Sequence, residues 1–182
     1  MSGRRILFVT TVPGTLRSFL LPYARTLRSE GWCVHAVAQR LPANPELSAE
    51  FDVVWDIEWT RNPINVVNIA RAVKRIGLII RSQAYDIVHV HTPIAAFVTR
   101  FSIRSLEPNW KPIVIYTAHG FHFHKGGEHL SNWLYLLLEK IAGRWTDYLV
   151  VINREDEEAA LRHGIVPASS LRYMPGIGID TD

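Results

Sequence analysis

Short apolar, β-branched runs alternate along this chain with longer segments whose apolar residues recur every three or four positions. Ile6–Thr10 is the first such run, and its lack of polar alternation predicts a strand covered on both faces. Pro13-Gly14 breaks the pattern over Thr11–Thr15. Leu16, Leu20, Ala24 and Leu27, with Phe19 and Tyr23, then take helical spacing until Gly31. Cys33–Ala38 and Phe51–Ile57 are predicted as the next strands, with the proline-rich Leu41–Pro45 as a loop between them. Pro63 opens a long amphipathic helix carrying Ile64, Val67, Ala70, Val73 and Ile76 on one face. Asp86–His91 is a central strand, and Thr92-Pro93 starts the next helix, since proline suits a first turn. Pro112–Ala118 predicts another buried strand, and Trp133, Leu136, Leu137 and Ile141 mark the helix beyond it. Tyr148–Ile152 is a strand, Asn153 with Asp156 three residues on caps a helix, Gly164 ends it, and Leu171–Met174 is a last short strand.

Strands and helices alternating at this spacing imply an α/β fold, a doubly wound and mostly parallel sheet with helices on both faces. The 182 residues suit one domain, residues 1–182. In such sheets ligands bind at the carboxyl ends of the strands, near the point where the strand order reverses. The places to look are therefore Thr11–Ser18, Thr92, His119–Gly127, Asn153 and Gly176–Asp180.

Composition adds boundaries. Hydrophobic residues make up 48% and charged residues 20%, as in an ordinary globular protein. No run reaches the roughly 18 to 20 apolar residues needed to span a bilayer. Ile6–Val12 is too short and too polar-flanked for a secretory signal. The single cysteine, Cys33, excludes an internal disulfide and fits a reducing cytoplasm. A net charge of +3 is too mild to indicate a nucleic-acid partner. Six tryptophans are many, and Trp59, Trp110 and Trp145 stand near Arg61, Lys111 and Arg144. Such pairs suit a lipid headgroup layer or are core residues beside solvated charges, and as a group they leave peripheral membrane contact open.

Candidate chemistry concentrates after Ala118. The loop holds His119, His122 and His124 with Gly120, Lys125, Gly126 and Gly127, and His129 just beyond. Glycines let a backbone approach a ligand, and imidazoles donate to hydroxyls or phosphates. His119, immediately beyond a buried strand, is the functional candidate; His122, His124 and His129 are read as packing. Four histidines with Glu128 as the only carboxylate do not complete a metal site, so no metal is expected. Thr11–Ser18 offers a glycine and free helix N–H groups to a phosphate, or is a tight turn. It is neither G-x-G-x-x-G nor a Walker sequence, which weakens dinucleotide and P-loop roles. His89 and His91 alternate onto one side of their strand, with His91 and Thr92 able to reach the cleft and His89 read as core. No G-x-S-x-G elbow and no well-placed Cys–His pair supports a hydrolase.

These residues together resemble the retaining GT-B glycosyltransferases of family 4. The match runs through Ile6–Pro13, Asp86-Ile-Val-His-Val-His-Thr-Pro93, Tyr116-Thr-Ala-His-Gly-Phe-His-Phe-His124, Tyr148-Leu-Val-Val-Ile-Asn-Arg-Glu-Asp-Glu157 and Tyr173-Met-Pro-Gly-Ile-Gly-Ile-Asp180. The likeness is to bacterial capsular, exopolysaccharide and lipid-linked oligosaccharide enzymes. The resemblance implies one Rossmann-like lobe of a two-lobed enzyme, holding the acceptor while a C-terminal lobe holds a nucleotide-sugar. The implied acceptor is a saccharide, including a polyprenyl-diphosphate-linked one at the inner face of the plasma membrane. Carried over by position, Gly14 and Thr15 would lie against the donor diphosphate and His119 near the reacting carbon. Thr92, Asn153 and Gly120 would face the acceptor. Front-face attack without a protein nucleophile is implied, so the physical work is positioning and stabilising the departing diphosphate. No cofactor and no metal follow from it.

One family feature is missing. The C-terminal lobe's acidic pair, spaced E-x7-E, is matched only by Glu50 and Glu58, which flank the predicted strand Phe51–Ile57 and so would stand about 26 Å apart. The C-terminal nucleotide-sugar-binding lobe is expected to be absent, since Gly178-Ile-Asp-Thr-Asp182 falls where the family would enter it, and the chain alone is expected to be inactive. Arg71, Lys74, Arg75, Arg100 and Arg104 are expected either to meet anionic lipid or to be solvated helix faces. Two other classes remain open: a non-catalytic subunit or scaffold pairing with a separate nucleotide-binding chain, and a nucleotide- or flavin-binding doubly wound protein.

Overall fold

In a computed structural model that describes residues 3–59, 65–107, 111–123 and 128–176, the apolar runs become one seven-stranded sheet. The strands are β1 (Arg5–Val9), β2 (Cys33–Val37), β3 (Val53–Trp55), β4 (Ile87–Val90), β5 (Ile113–Ala118), β6 (Tyr148–Val151) and β7 (Leu171–Tyr173). Their order is β3-β2-β1-β4-β5-β6-β7, with every neighbouring pair parallel. The order reverses between β1 and β4, so the crevice for ligands lies beyond Val9 and Val90. The strands match the predicted runs to within one or two residues at each end, the usual fraying of a ladder. The edge strand β3 is the shortest match, since only Val53–Trp55 of Phe51–Ile57 finds a partner.

The helices are α1 (Pro13–Thr15), α2 (Leu21–Ser29), α3 (Pro45–Ser48), α4 (Val66–Gln83), α5 (Pro93–Ile103), α6 (His129–Gly143) and α7 (Arg154–His163). The predicted loop Thr11–Thr15 is shorter than expected, because Pro13 fixes a backbone angle suited to a first helical turn. Gly14 and Thr15 therefore sit inside a helix. A π turn, Leu16–Leu20, joins α1 to α2. Pro22 has no N–H to return to the preceding turn, which accounts for the widened ladder. Leu41–Pro45 is not featureless: a 3₁₀ turn and α3 occupy it, with Asn44 capping Leu47 N.

Two cores flank the sheet. One, under α4, α5 and α7, joins Ile76, Val88, Tyr116 and Leu149; the other, under the π turn and α2, joins Phe8, Leu16, Leu20 and Val34. On the second face β5 and β6 are thinly covered, leaving Ile113 and Tyr148 exposed. In α4 the inward positions are Ala72, Ile76, Ile79 and Ile80. Val67 and Ala70, predicted inward, are exposed, because the inward stripe runs through Ile69, Ala72, Val73 and Ile76; Pro63 and Ile64 lie outside the described residues. Of the residues that mark α6 in sequence, Leu136 packs on the core and Ile141 is half-buried, whereas Trp133 and Leu137 are exposed; Glu139 is buried.

Arg100 corrects another expectation. It is 1% exposed and so offers nothing to lipid. Its guanidinium pairs with Glu139 at 3.1 Å, donates to Ala96 O and Thr146 Oγ1, and lies over the Tyr116 ring. Trp59 is buried and belongs to the interior, whereas Trp145 is half-buried and packs on the half-buried rings of Phe97 and Phe101. Arg61 and Trp110 lie outside the described residues. Glu50 pairs with Arg25 on the surface.

Candidate functional site

The site forms because two neighbouring strands alternate in phase. His89 and His91 point to the α2 side of β4, and Thr117 and His119 point to the same side of β5. His89 Nε2 meets Thr117 Oγ1 at 2.8 Å, and His91 Nδ1 meets His119 Nε2 at 3.2 Å. The rings of His89 and His91 lie 4.1 Å apart, tilted by 37°, beside Phe8, and Phe19 from the π turn covers His119 at 5.4 Å. The helix that carries Gly14 and Thr15 thus leads directly into the residue that covers His119. A cavity of about 160 Å³ beneath α2 is lined by Tyr23, His89, His91, Thr117, His119 and Met174.

Burial sets the charge of these imidazoles. It drives the His89 pKa down to about 3, with a further push from His119. It holds His91 well below the usual histidine range, aided by His89 and His119, and it lowers His119 as well. All three are neutral at pH 7. Such a group can place a directed donor or acceptor without bringing a charge.

Thr92 stands across the switch point. Its hydroxyl accepts from Thr11 N at 2.7 Å and shares a hydrogen with Thr11 Oγ1 at 2.5 Å, fastening the loop after β1 to the start of α5. A hydroxyl has one donor and two acceptor positions, so Thr92 keeps one for a ligand. Thr15 N donates to Val12 O at 3.2 Å. Gly14 is exposed, and a Cβ added there would meet nothing within 4 Å.

A second group gathers beside this one. Gly120 adopts φ +130, open to glycine alone, and turns the chain into Phe121. Gly120, Phe121, Asn153, Trp133 and Arg162 line a cavity of about 540 Å³ between α6 and α7. Asn153 caps α7: its Oδ1 accepts from Asp156 N and its Nδ2 donates to Asp156 Oδ2, both at 2.8 Å. Asp156 Oδ1 also accepts from Phe121 N, which ties the His119 loop to α7. Sequence reasoning saw Asp156 only as a capping partner. Its burial was the missing signal, since a buried carboxylate needs several donors.

Of the other histidines, His122 packs on Tyr135 and His129 begins α6, while His124, Lys125, Gly126 and Gly127 lie outside the described residues, as do Gly178–Asp182. Among the described residues no group of three or more His, Cys, Asp or Glu side chains is arranged to hold a metal ion. One Cys–His pair, which the sequence reading did not single out, forms away from the candidate site. Cys33 Sγ lies 3.1 Å from His35 Nε2, and His35 Nδ1 lies 2.7 Å from Tyr85 OH. Alternation in a strand puts positions two apart on one face, which brings the pair together. It sits at the amino end of β2, away from the crevice. Among the described residues no helix is long and apolar enough to cross a membrane.

Comparison with known proteins gives these features a context. Residues 14–176 match the family model described as a glycosyl transferase 4-like domain. The chain is 35% identical over 181 residues to a Bacillus subtilis protein named glycosyltransferase EpsD, covering 98% of this chain and 45% of that one. It is 24% identical over 119 residues to an Escherichia coli UDP-Gal:alpha-D-GlcNAc-diphosphoundecaprenol alpha-1,3-galactosyltransferase, covering 65% of this chain and 30% of that one. The chain thus spans less than half the length of either relative. Among solved structures, a glycosyltransferase from Rickettsia africae superposes with a TM-score of 0.67 at 19% identity, over 95% of this chain and 43% of that one.

Proposed function

Because this chain belongs to the glycosyl transferase 4-like family, we propose that it is the acceptor-side lobe of an enzyme that moves a sugar from a nucleotide-sugar to a saccharide. The setting would be synthesis of a capsule or exopolysaccharide, with a polyprenyl-diphosphate-linked saccharide as the favoured acceptor. The observation that carries this reading is His119: a neutral imidazole at the carboxyl end of β5, backed by His91 and beside the switch point. A neutral donor there suits hydroxyl or diphosphate oxygens and needs no metal.

In this reading the chemistry is positional. Gly14, open to close approach, and Thr15 meet the donor diphosphate, and His119 contacts the donor sugar at the reacting carbon. Thr92 uses its remaining hydrogen-bonding position on the acceptor, while Gly120 and Asn153 shape the wall of the larger cavity. Transfer retains configuration through front-face attack, with the diphosphate stabilised as it leaves by donors already in place. A nucleotide-holding lobe, from further chain or a partner subunit, completes the cleft.

For the membrane component, Arg71, Lys74, Arg75 and Arg104 are exposed, and α6 offers a second surface. On α6, Leu130 is 71% and Trp133 60% exposed, with Leu134 and Leu137 also outward and Lys140 and Arg144 nearby. Apolar and basic groups side by side suit the interface of an anionic bilayer, where a lipid-linked acceptor resides. The deciding experiment incubates the chain with nucleotide-sugars and polyprenyl-diphosphate-linked saccharides, alone and with its nucleotide-holding lobe. Transfer is expected only with both, with the product anomer matching the donor; turnover by the chain alone would refute the half-site reading.

A further inference from the structure

Two neutral imidazoles that face each other through one nitrogen apiece share one hydrogen. His91 Nδ1 and His119 Nε2 lie 3.2 Å apart, so either His91 donates through Nδ1–H or His119 donates through Nε2–H. The two arrangements differ at the far nitrogens. If His119 donates, the hydrogen of His91 sits on Nε2, which is buried and has no hydrogen-bond partner among the described residues. An N–H would then be stranded among the rings of Phe8 and His89, and stranded buried N–H groups are rarer than unmet acceptors. If His91 donates, its Nε2 carries only a lone pair, and the hydrogen of His119 sits on Nδ1.

We propose that His91 is a positioning residue which, by donating Nδ1–H, locks His119 as the Nδ1–H tautomer and so presents a hydrogen-bond donor to substrate oxygens. The inference rests on the role given to His119 above. A neutral imidazole donates through one nitrogen only, and an unlocked ring would present a repelling lone pair to the same oxygens part of the time. The pairing of His89 with Thr117, and its ring packed against that of His91 at 4.1 Å, hold the His91 plane in place.

Long-range ¹H–¹⁵N correlation spectra of the labelled chain read the tautomer directly, with His119 assigned through His119→Asn. The Nδ1–H pattern is expected; an Nε2–H or averaged pattern overturns the proposal. His91→Asn keeps an amide N–H near the place of Nδ1–H and is expected to preserve the pattern. His91→Phe is expected to average it, and an unchanged His119 in that variant overturns the positioning role. In the enzyme carrying both lobes, His91→Phe is expected to lower kcat by roughly 10- to 100-fold with KM for the nucleotide-sugar nearly unchanged, and His91→Asn to restore most of it. Unchanged kcat in His91→Phe also overturns the role. Because the spectra do not depend on sugar transfer, a failed tautomer and a failed transferase reading give different results.

Discussion

Arg100 and Glu139 meet at 3.1 Å in the interior, where α5 and α6 cross, and Tyr116 from β5 donates its hydroxyl to the same carboxylate. Removing one member of a buried pair leaves the other charge uncompensated, which typically costs about 3–5 kcal/mol. Glu139→Ala is expected to fall in that range and Tyr116→Phe to lose about 1 kcal/mol. Urea unfolding measures both; a Glu139→Ala protein as stable as wild type would contradict the pairing.

His119 touches the crevice but closes no core. His119→Ala in the two-lobed enzyme is expected to lower kcat by about 10²–10³-fold, the usual loss for one donor aimed at developing charge. Its melting temperature should stay near that of wild type. A large drop in melting temperature with turnover preserved would make His119 a packing residue instead.

Two glycines are expected to respond in opposite ways. A Cβ at Gly143 would stand 1.9 Å from Ile165 O, so Gly143→Ala must displace backbone and should destabilise strongly. Gly14 lies in a helical turn with open space around it, so Gly14→Ala should be neutral or stabilising by up to about 1 kcal/mol. If the donor diphosphate approaches that turn, the same variant raises KM for the nucleotide-sugar. Thermal denaturation and initial-rate kinetics separate the two effects.

The buried histidines set a pH dependence of known sign. Folded His89 has a pKa of about 3, below the roughly 6.5 of an unfolded histidine, so the unfolded chain binds the extra proton. The contribution is full above pH 6.5 and is lost as pH falls toward 3. Per histidine the slope approaches about 1.4 kcal/mol per pH unit, or about 2 kcal/mol between pH 6.5 and 5. His91, lowered in the same direction, adds to it. Unfolding free energies at pH 5, 6 and 7 should show a shallower slope for His89→Gln than for wild type; equal slopes would mean that His89 does not stay neutral.

The exposed face of α6 predicts a membrane phenotype. Trp133→Glu is expected to reduce co-sedimentation with phosphatidylglycerol vesicles more than Lys74→Glu on α4, and phosphatidylcholine vesicles should retain little of either protein. Equal losses in the two variants would point to diffuse charge rather than to this helix.

The sheet was legible because its signal is local. A strand buried on both faces needs a short unbroken apolar run, and Ile6–Thr10, Asp86–His91 and Pro112–Ala118 supply it whatever lies beside them. Asn153, Asp156 and Gly164 likewise act within a turn of themselves, and the structure keeps all three in the expected roles. The candidate residues His119, Gly14 and Thr92 followed from the rule that such sheets bind ligands at strand ends.

What sequence could not supply were relations between distant segments. Arg100 looked like a surface cation, because its partner lies 39 positions away. On α6 the spacing of Trp133, Leu136, Leu137 and Ile141 marked the helix correctly, yet Trp133 and Leu137 face outward while Glu139 is buried. A charged residue breaks an apolar pattern in sequence, yet can complete a core once its counter-ion arrives from another helix. Alternation in Asp86–His91 placed His89 and His91 on one side of a strand. Only the pairing of β4 with β5 decided that His91 should meet His119. The sequence by itself determined which backbone forms the strands and the longer helices, and at which strand ends to look for a ligand, since propensity and periodicity act over a few residues. Tertiary structure decided which polar groups are charged, paired or left without a partner, because desolvation and hydrogen bonding depend on what the rest of the chain brings alongside.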